Sequence, residues 1–127
     1  MNIIKYVDTA KQEGGVTAQW PSGKLIHKDD AWYFPALPDE TVITSEDTLE
    51  KALDNFLARF DSELQKDDRY LGIWFDKEAN RYHIDVNCRV EDTAKAIEMA
   101  NTISANSTYK IKSIYNIRRD TEIAIDA

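Results

Sequence analysis

The chain has 127 residues, 43% of them hydrophobic and 31% charged, with a net charge of −7 and a single cysteine. That length and balance fit one domain, residues 1–127, with one core, and they exclude a disordered tail. Cys88 has no second cysteine to pair with, and no apolar run approaches the roughly 20 residues needed to cross a bilayer.

Residues 2–12 place Ile3, Ile4, Val7 and Ala10 at helical spacing before Gly14-Gly15, so a helix is preferred there over a short strand. Val16 to Trp20 reads as a strand, and Pro21-Ser22-Gly23-Lys24 as a turn. Ala31 to Phe34 is extended and ends at Pro35, and Pro38 is expected to keep the next residues out of a regular element.

The clearest helix is 46–66. Ser45 is placed to cap it, Glu46 and Asp47 stand in its first turn, and Leu49, Ala52, Leu53, Phe56, Leu57, Phe60 and Leu64 form one apolar stripe. A hairpin follows, with strands Tyr70 to Phe75 and Arg81 to Val86 joined through Asp76-Lys77-Glu78-Ala79-Asn80. In its second strand Tyr82, Ile84, Val86 and Cys88 share the face expected to be buried, and His83, Asp85 and Asn87 share the solvated one. Residues 92–104 predict another helix, and Ile111 to Ile117 and Glu122 to Ile125 a last strand pair turning near Arg118-Arg119-Asp120. The resulting fold class is α+β, a mainly antiparallel sheet of four to six strands with two or three helices on one face.

The charge is unevenly placed. Residues 39–68 hold ten acidic side chains against three basic ones (Lys51, Arg59, Lys66), a difference equal to the whole net charge of −7. At about 100° per residue, Asp47, Glu50, Asp54 and Asp61 fall within roughly 60° of one another on the flank of the apolar stripe. Such a row is either a solvated face that keeps a small protein soluble, or a negative surface that docks on a basic groove. Asp68 would join it if the helix ran further.

Other chemistry finds little support. His27 and His83 lack partners at metal-ligand spacing, so no metal and no cofactor are expected. Cys88 reads as a small buried hydrophobe, Asp76 as a turn residue and Asp92 as a helix cap. No phosphate-binding loop, dinucleotide fingerprint or nucleophile elbow occurs, so no catalytic residue is assigned and the chain is expected not to be an enzyme. Were it one, His83 and Asp85 would be the residues to test. Lys110, Lys112 and Arg118 take the opposite strand parity from Tyr109 and Tyr115, which argues against direct nucleic-acid binding.

The segments Tyr70-Leu71-Gly72-Ile73-Trp74-Phe75-Asp76 and Arg81-Tyr82-His83-Ile84-Asp85-Val86 resemble a pattern of uncharacterised small phage and actinobacterial proteins. There a Leu-Gly-Gly-Trp strand, an Asp-x-x-Thr-Gly turn and a Tyr-x-x-Asp-Val strand precede a helix and a final strand. Gly14-Gly15-Val16-Thr17 is similar to their opening Gly-Gly-Phe-Thr. This chain departs from the pattern at Ala79-Asn80 and in lacking a second glycine beside Trp74. The resemblance implies a phage or mobile-element origin and no particular activity.

Together these readings lead to the expectation of a non-enzymatic, protein-binding modulator. Its most concrete form is an inhibitor of a bacterial defence nuclease, of the anti-CRISPR kind, that docks on a basic groove. Asp47, Glu50, Asp54 and Asp61 would make the electrostatic contact, and Trp32 and Tyr33 would be its aromatic anchors unless they pack in the core. The alternatives are a structural or homo-oligomeric phage component and a small enzyme. A signal peptide is not recognisable at Met1 to Tyr6, so the cytoplasm, the host's if phage-encoded, is the expected location, with no membrane partner.

Overall fold

A computed structural model describes residues 3–125. The chain order is α1 (Ile3–Glu13), β1 (Gly15–Ala18), β2 (Trp32–Pro35), β3 (Val42–Thr44), α2 (Leu49–Leu64), β4 (Arg69–Asp76), β5 (Arg81–Val90), α3 (Thr93–Ala105), β6 (Ser113–Asn116) and β7 (Thr121–Ala124). Short 3-10 turns at Pro38–Glu40 and Glu46–Thr48 precede β3 and α2.

The seven described strands form one antiparallel sheet in the order β1-β4-β5-β2-β6-β7, with β3 also paired to β5. β5 is the spine. From Arg81 to Cys88 it pairs with β4, while its other edge is shared, Tyr82 to Ile84 with β3 and Asn87 to Val90 with β2. The fold is α+β as expected, and the strand beyond the expected range is β3. Pro38 starts a single 3-10 turn and no more, and Val42–Thr44 then falls beside β5, where its backbone groups find partners.

Alternation along β5 places the core. Tyr82, Ile84 and Val86 join a cluster with Leu49, Leu53, Phe56 and Leu64 of α2 and Tyr6, Val7 and Ala10 of α1. Cys88, on the same side, joins a second cluster with Trp32, Phe34 and Ile114 beneath Ala96 and Ala100 of α3. All three helices therefore cover one face of the sheet. Among the described residues, no helix is long and apolar enough to cross a membrane.

Helix α2 is shorter than the expected 46–66. Thr44, Ser45 and Thr48 hydrogen-bond one another through their hydroxyls, at 2.5 and 3.0 Å, instead of capping backbone N–H groups, and 46–48 winds as a 3-10 turn. At the other end the helix stops at Leu64, and Asp68 takes a left-handed conformation (φ 59°) in the loop to β4, so it does not extend the acidic row. The expected roles of Asp92 and Asp76 are both visible. Asp92 accepts from the Lys95 backbone N–H at 2.8 Å, and Asp76 accepts from those of Glu78 and Ala79 at 3.1 and 3.3 Å.

Gly72 is required by a close approach. A Cβ there would stand 2.1 Å from Nδ2 of Asn87, whose side chain lies over the glycine on the uncovered face. Gly72→Ala is therefore expected to cost about 1–3 kcal/mol in urea unfolding through overpacking. In an Asn87→Ala background the same change should be neutral or stabilising by up to about 1 kcal/mol, because alanine suits a strand better than glycine. Equal costs in both backgrounds would show that the crowding lies elsewhere.

Candidate functional site

Helix α2 directs its apolar stripe into the core and leaves its flank in solvent. Asp47, Glu50 and Asp54 are exposed, and Asp61 is half-buried. Asp47 lies in the 3-10 turn ahead of the helix, and Asp61 follows a non-helical residue, Phe60 (φ −106°, ψ 17°), so the row bends at both ends. Three nearby carboxylates differ from it in pairing. Glu46 meets Lys11 at 3.7 Å, Glu40 meets Arg59 at 2.7 Å and Glu63 meets Lys66 at 2.7 Å. Among the described residues, none of Asp47, Glu50, Asp54 and Asp61 has a cationic partner within salt-bridge distance.

The row borders a shallow depression of about 450 Å³, lined by Ile3, Trp20, Asp54, Leu57, Ala58 and Asp61. The Trp20 indole N–H donates to Asp61 Oδ1 at 2.7 Å, and the Gln65 amide donates to Oδ2 at 2.9 Å. Both donors are neutral, so they orient the carboxylate without cancelling its charge. The turn that carries Trp20 is pinned by the Tyr6 hydroxyl, which donates to Gly23 O at 2.9 Å, and by Gln19–Lys24 and Gly23–Gln19 backbone bonds, each 2.9 Å.

The aromatic residue beside the acidic row is thus Trp20, and not either of the two suggested from sequence. Trp32 is 2% exposed in the second core cluster, with its indole N–H on Thr93 Oγ1 at 2.9 Å. Tyr33 is 4% exposed, edge-on to Tyr70, with its hydroxyl on Asp29 Oδ2 at 2.5 Å. Burial first, and then the Asp29 carboxylate, pushes the Tyr33 phenol well above its ordinary pKa. Arg89 donates to both Asp29 oxygens at 2.7 and 2.9 Å and holds that carboxyl below the usual range. Trp32 is core packing and Tyr33 is buried on the opposite face of β2 against Tyr70 and Asp29, and neither stands beside Asp47, Glu50, Asp54 and Asp61.

The sheet face without helices carries a second group of residues. Ile43, His83 and Trp74 stand side by side on β3, β5 and β4, with Ile43 59% and Trp74 44% exposed. The Trp74 and His83 rings stack at 4.1 Å, and His83 Nε2 lies 3.6 Å from Asp76 Oδ2. Asp85 lies on the face expected for it but is not solvated, being only 3% exposed. Thr41 hydrogen-bonds its Oδ1, and the Trp74 indole N–H reaches Oδ2 at 3.3 Å. Desolvation raises its pKa. Asp76 ends β4 opposite Arg81, Asp85 lies four residues further along β5, and the helix cap Asp92 lies beyond the end of β5, so they form no carboxylate cluster.

Two further sets of residues are held internally. Lys110 Nζ donates to the Ser104 and Ser107 carbonyls at 2.6 and 2.8 Å, closing the end of α3, and Arg119 pairs with Asp30 at 2.9 Å. Cys88 is 1% exposed, and burial pushes its thiol pKa up to about 12, far from a reactive thiolate. No protein-family model matches this chain, and neither a curated protein nor a solved structure is found to match it.

Proposed function

We propose that this protein is a non-enzymatic binding module that docks the flank of α2 onto a basic surface of another protein. The observation that carries this reading is that, among the described residues, Asp47, Glu50, Asp54 and Asp61 have no cationic partner, while Glu40, Glu46 and Glu63 near them do. Negative charge that no internal cation neutralises is available to a partner and steers its approach. The resemblance of the β4–β5 hairpin to small phage proteins supports a mobile-element setting. In that setting the most concrete partner is a bacterial defence nuclease, whose phosphate-holding basic groove a row of carboxylates would occupy in place of nucleic acid.

The test is a tagged pull-down from bacterial lysate at low and high salt, followed by affinity measurements on any recovered nucleic-acid-processing protein. Glu50→Lys with Asp54→Lys is expected to weaken binding by more than about tenfold and to flatten its salt dependence, with the fold intact by circular dichroism. Unchanged affinity would sink the electrostatic docking.

One observation favours a second reading, self-association. Ile43 and Trp74 are exposed apolar side chains flanking His83 on the face that no helix covers. Under that reading sedimentation shows a dimer or larger species that Ile43→Asp disperses. A monomeric wild-type protein at high concentration rules it out.

A further inference from the structure

We infer that the depression between α1, α2 and the Trp20 turn receives an arginine side chain of the partner. This rests on the docking of α2 proposed above, and it names the group that the docking recognises. The depression is lined by the aliphatic side chains of Ile3, Leu57 and Ala58, by Trp20, and by the carboxylates Asp54 and Asp61. Apolar and negatively charged lining together match one kind of side chain, with a long aliphatic stem and a cationic head.

Arginine fits better than lysine. Its guanidinium is planar, stacks on an aromatic face and donates in a fixed fork to carboxylate oxygens, whereas the lysine ammonium is a strongly hydrated point charge. Asp61 is prepared for such a head. Trp20 and Gln65 hold its two oxygens in place at 2.7 and 2.9 Å, and a carboxylate retains acceptor capacity beyond two bonds. Asp54 is exposed, and no cation is paired with it among the described residues. Because Tyr6 pins the turn at Gly23, the indole is positioned before the partner arrives, which limits the ordering cost of binding.

The experiment titrates the full chain with an oligo-arginine peptide and an oligo-lysine peptide of equal length. Calorimetry gives the affinities, and the indole N–H resonances of the tryptophans report the place. The expected result is arginine binding about tenfold tighter than lysine, with the Trp20 indole resonance shifting only with arginine. Ala58→Leu, at an exposed helical position, fills the depression and should bring the arginine peptide down to the affinity of the lysine peptide. Equal affinities with a silent Trp20, both weakened by Glu50→Lys, would overturn the arginine pocket and leave the acidic docking face standing. An arginine preference that survives Ala58→Leu would also overturn the pocket. Binding of neither peptide would overturn both.

Discussion

Trp32→Ala should unfold at far lower urea than the parent, with a loss of about 3–5 kcal/mol. The indole is 2% exposed among Phe34, Cys88, Ala96, Ala100, Ile111 and Ile114, so truncation empties a large volume that the sheet and α3 cannot close. It also removes the N–H bond to Thr93 at 2.9 Å, at the first residue of α3. The corresponding fall in Tm is on the order of 10–20 °C for a domain of this size. Trp32→Phe keeps much of the packing and should cost less than half as much. Calorimetric melting of the two variants decides whether Trp32 belongs to the core or to an interface. A surface anchor would lose partner affinity and leave Tm unchanged, which is the outcome that would contradict its assignment to the core.

The second large effect concerns pH and Asp85. Burial raises the folded-state pKa of this carboxyl above its unfolded value. The stabilising contribution is then complete below the unfolded pKa of about 4, and it is lost as pH rises through the raised folded value. Asp29, Asp30 and Asp39 have the opposite sign. Their pKa values are lowered by hydrogen bonds and nearby cations, so their contributions are present above about pH 4 and are lost as pH falls. Wild-type stability alone would therefore mix two trends.

Comparison with Asp85→Asn separates them. Asparagine copies the shape of the protonated acid. Its amide can donate to the Thr41 hydroxyl and its carbonyl can accept from the Trp74 indole, in the places that Oδ1 and Oδ2 now occupy. Unfolding free energies measured from pH 4 to 8 should show the variant gaining on the parent as pH rises, and surpassing it at neutral pH. Asp85→Ala, which leaves the Thr41 hydroxyl without this partner, should cost about 1–3 kcal/mol. If the parent and Asp85→Asn keep a constant difference over the whole range, Asp85 does not titrate in that window.

Much of this was legible in the residues because it depended on neighbours along the chain. The apolar stripe of α2 recurs at helical spacing, and six of its seven members are buried as that spacing requires, with Ala52 half-buried. Alternation in β5 placed Tyr82, Ile84, Val86 and Cys88 on the core face correctly. The acidic row was legible for a simpler reason, since a carboxylate without a partner has to stay near water.

What sequence could not supply came from contacts between distant segments. Trp20 and Asp61 are 41 residues apart, and nothing local says that the turn after β1 lies against α2. The only hint was a tryptophan at the end of a strand, directly before a turn. Asp85 had the right parity and the wrong burial, because Thr41 and Trp74 close over it from β3's approach and from β4. Trp32 and Tyr33 could not be sorted between anchor and core, since the aromatic residues that make good anchors are also those that fill cores. Pro38 was read as a barrier, and it did not prevent a strand four residues later.

The position of β5 has a consequence for how the molecule comes apart. One strand supplies Tyr82, Ile84 and Val86 to the cluster under α1 and α2, and Cys88 to the cluster under α3. β2, from the first third of the chain, is held between β5 and β6. Neither cluster can lose its strand without breaking the ladder that supports the other. The two cores are therefore expected to melt as one cooperative unit, in a single calorimetric transition, and a protease cut between α2 and β4 would leave no half with a complete sheet.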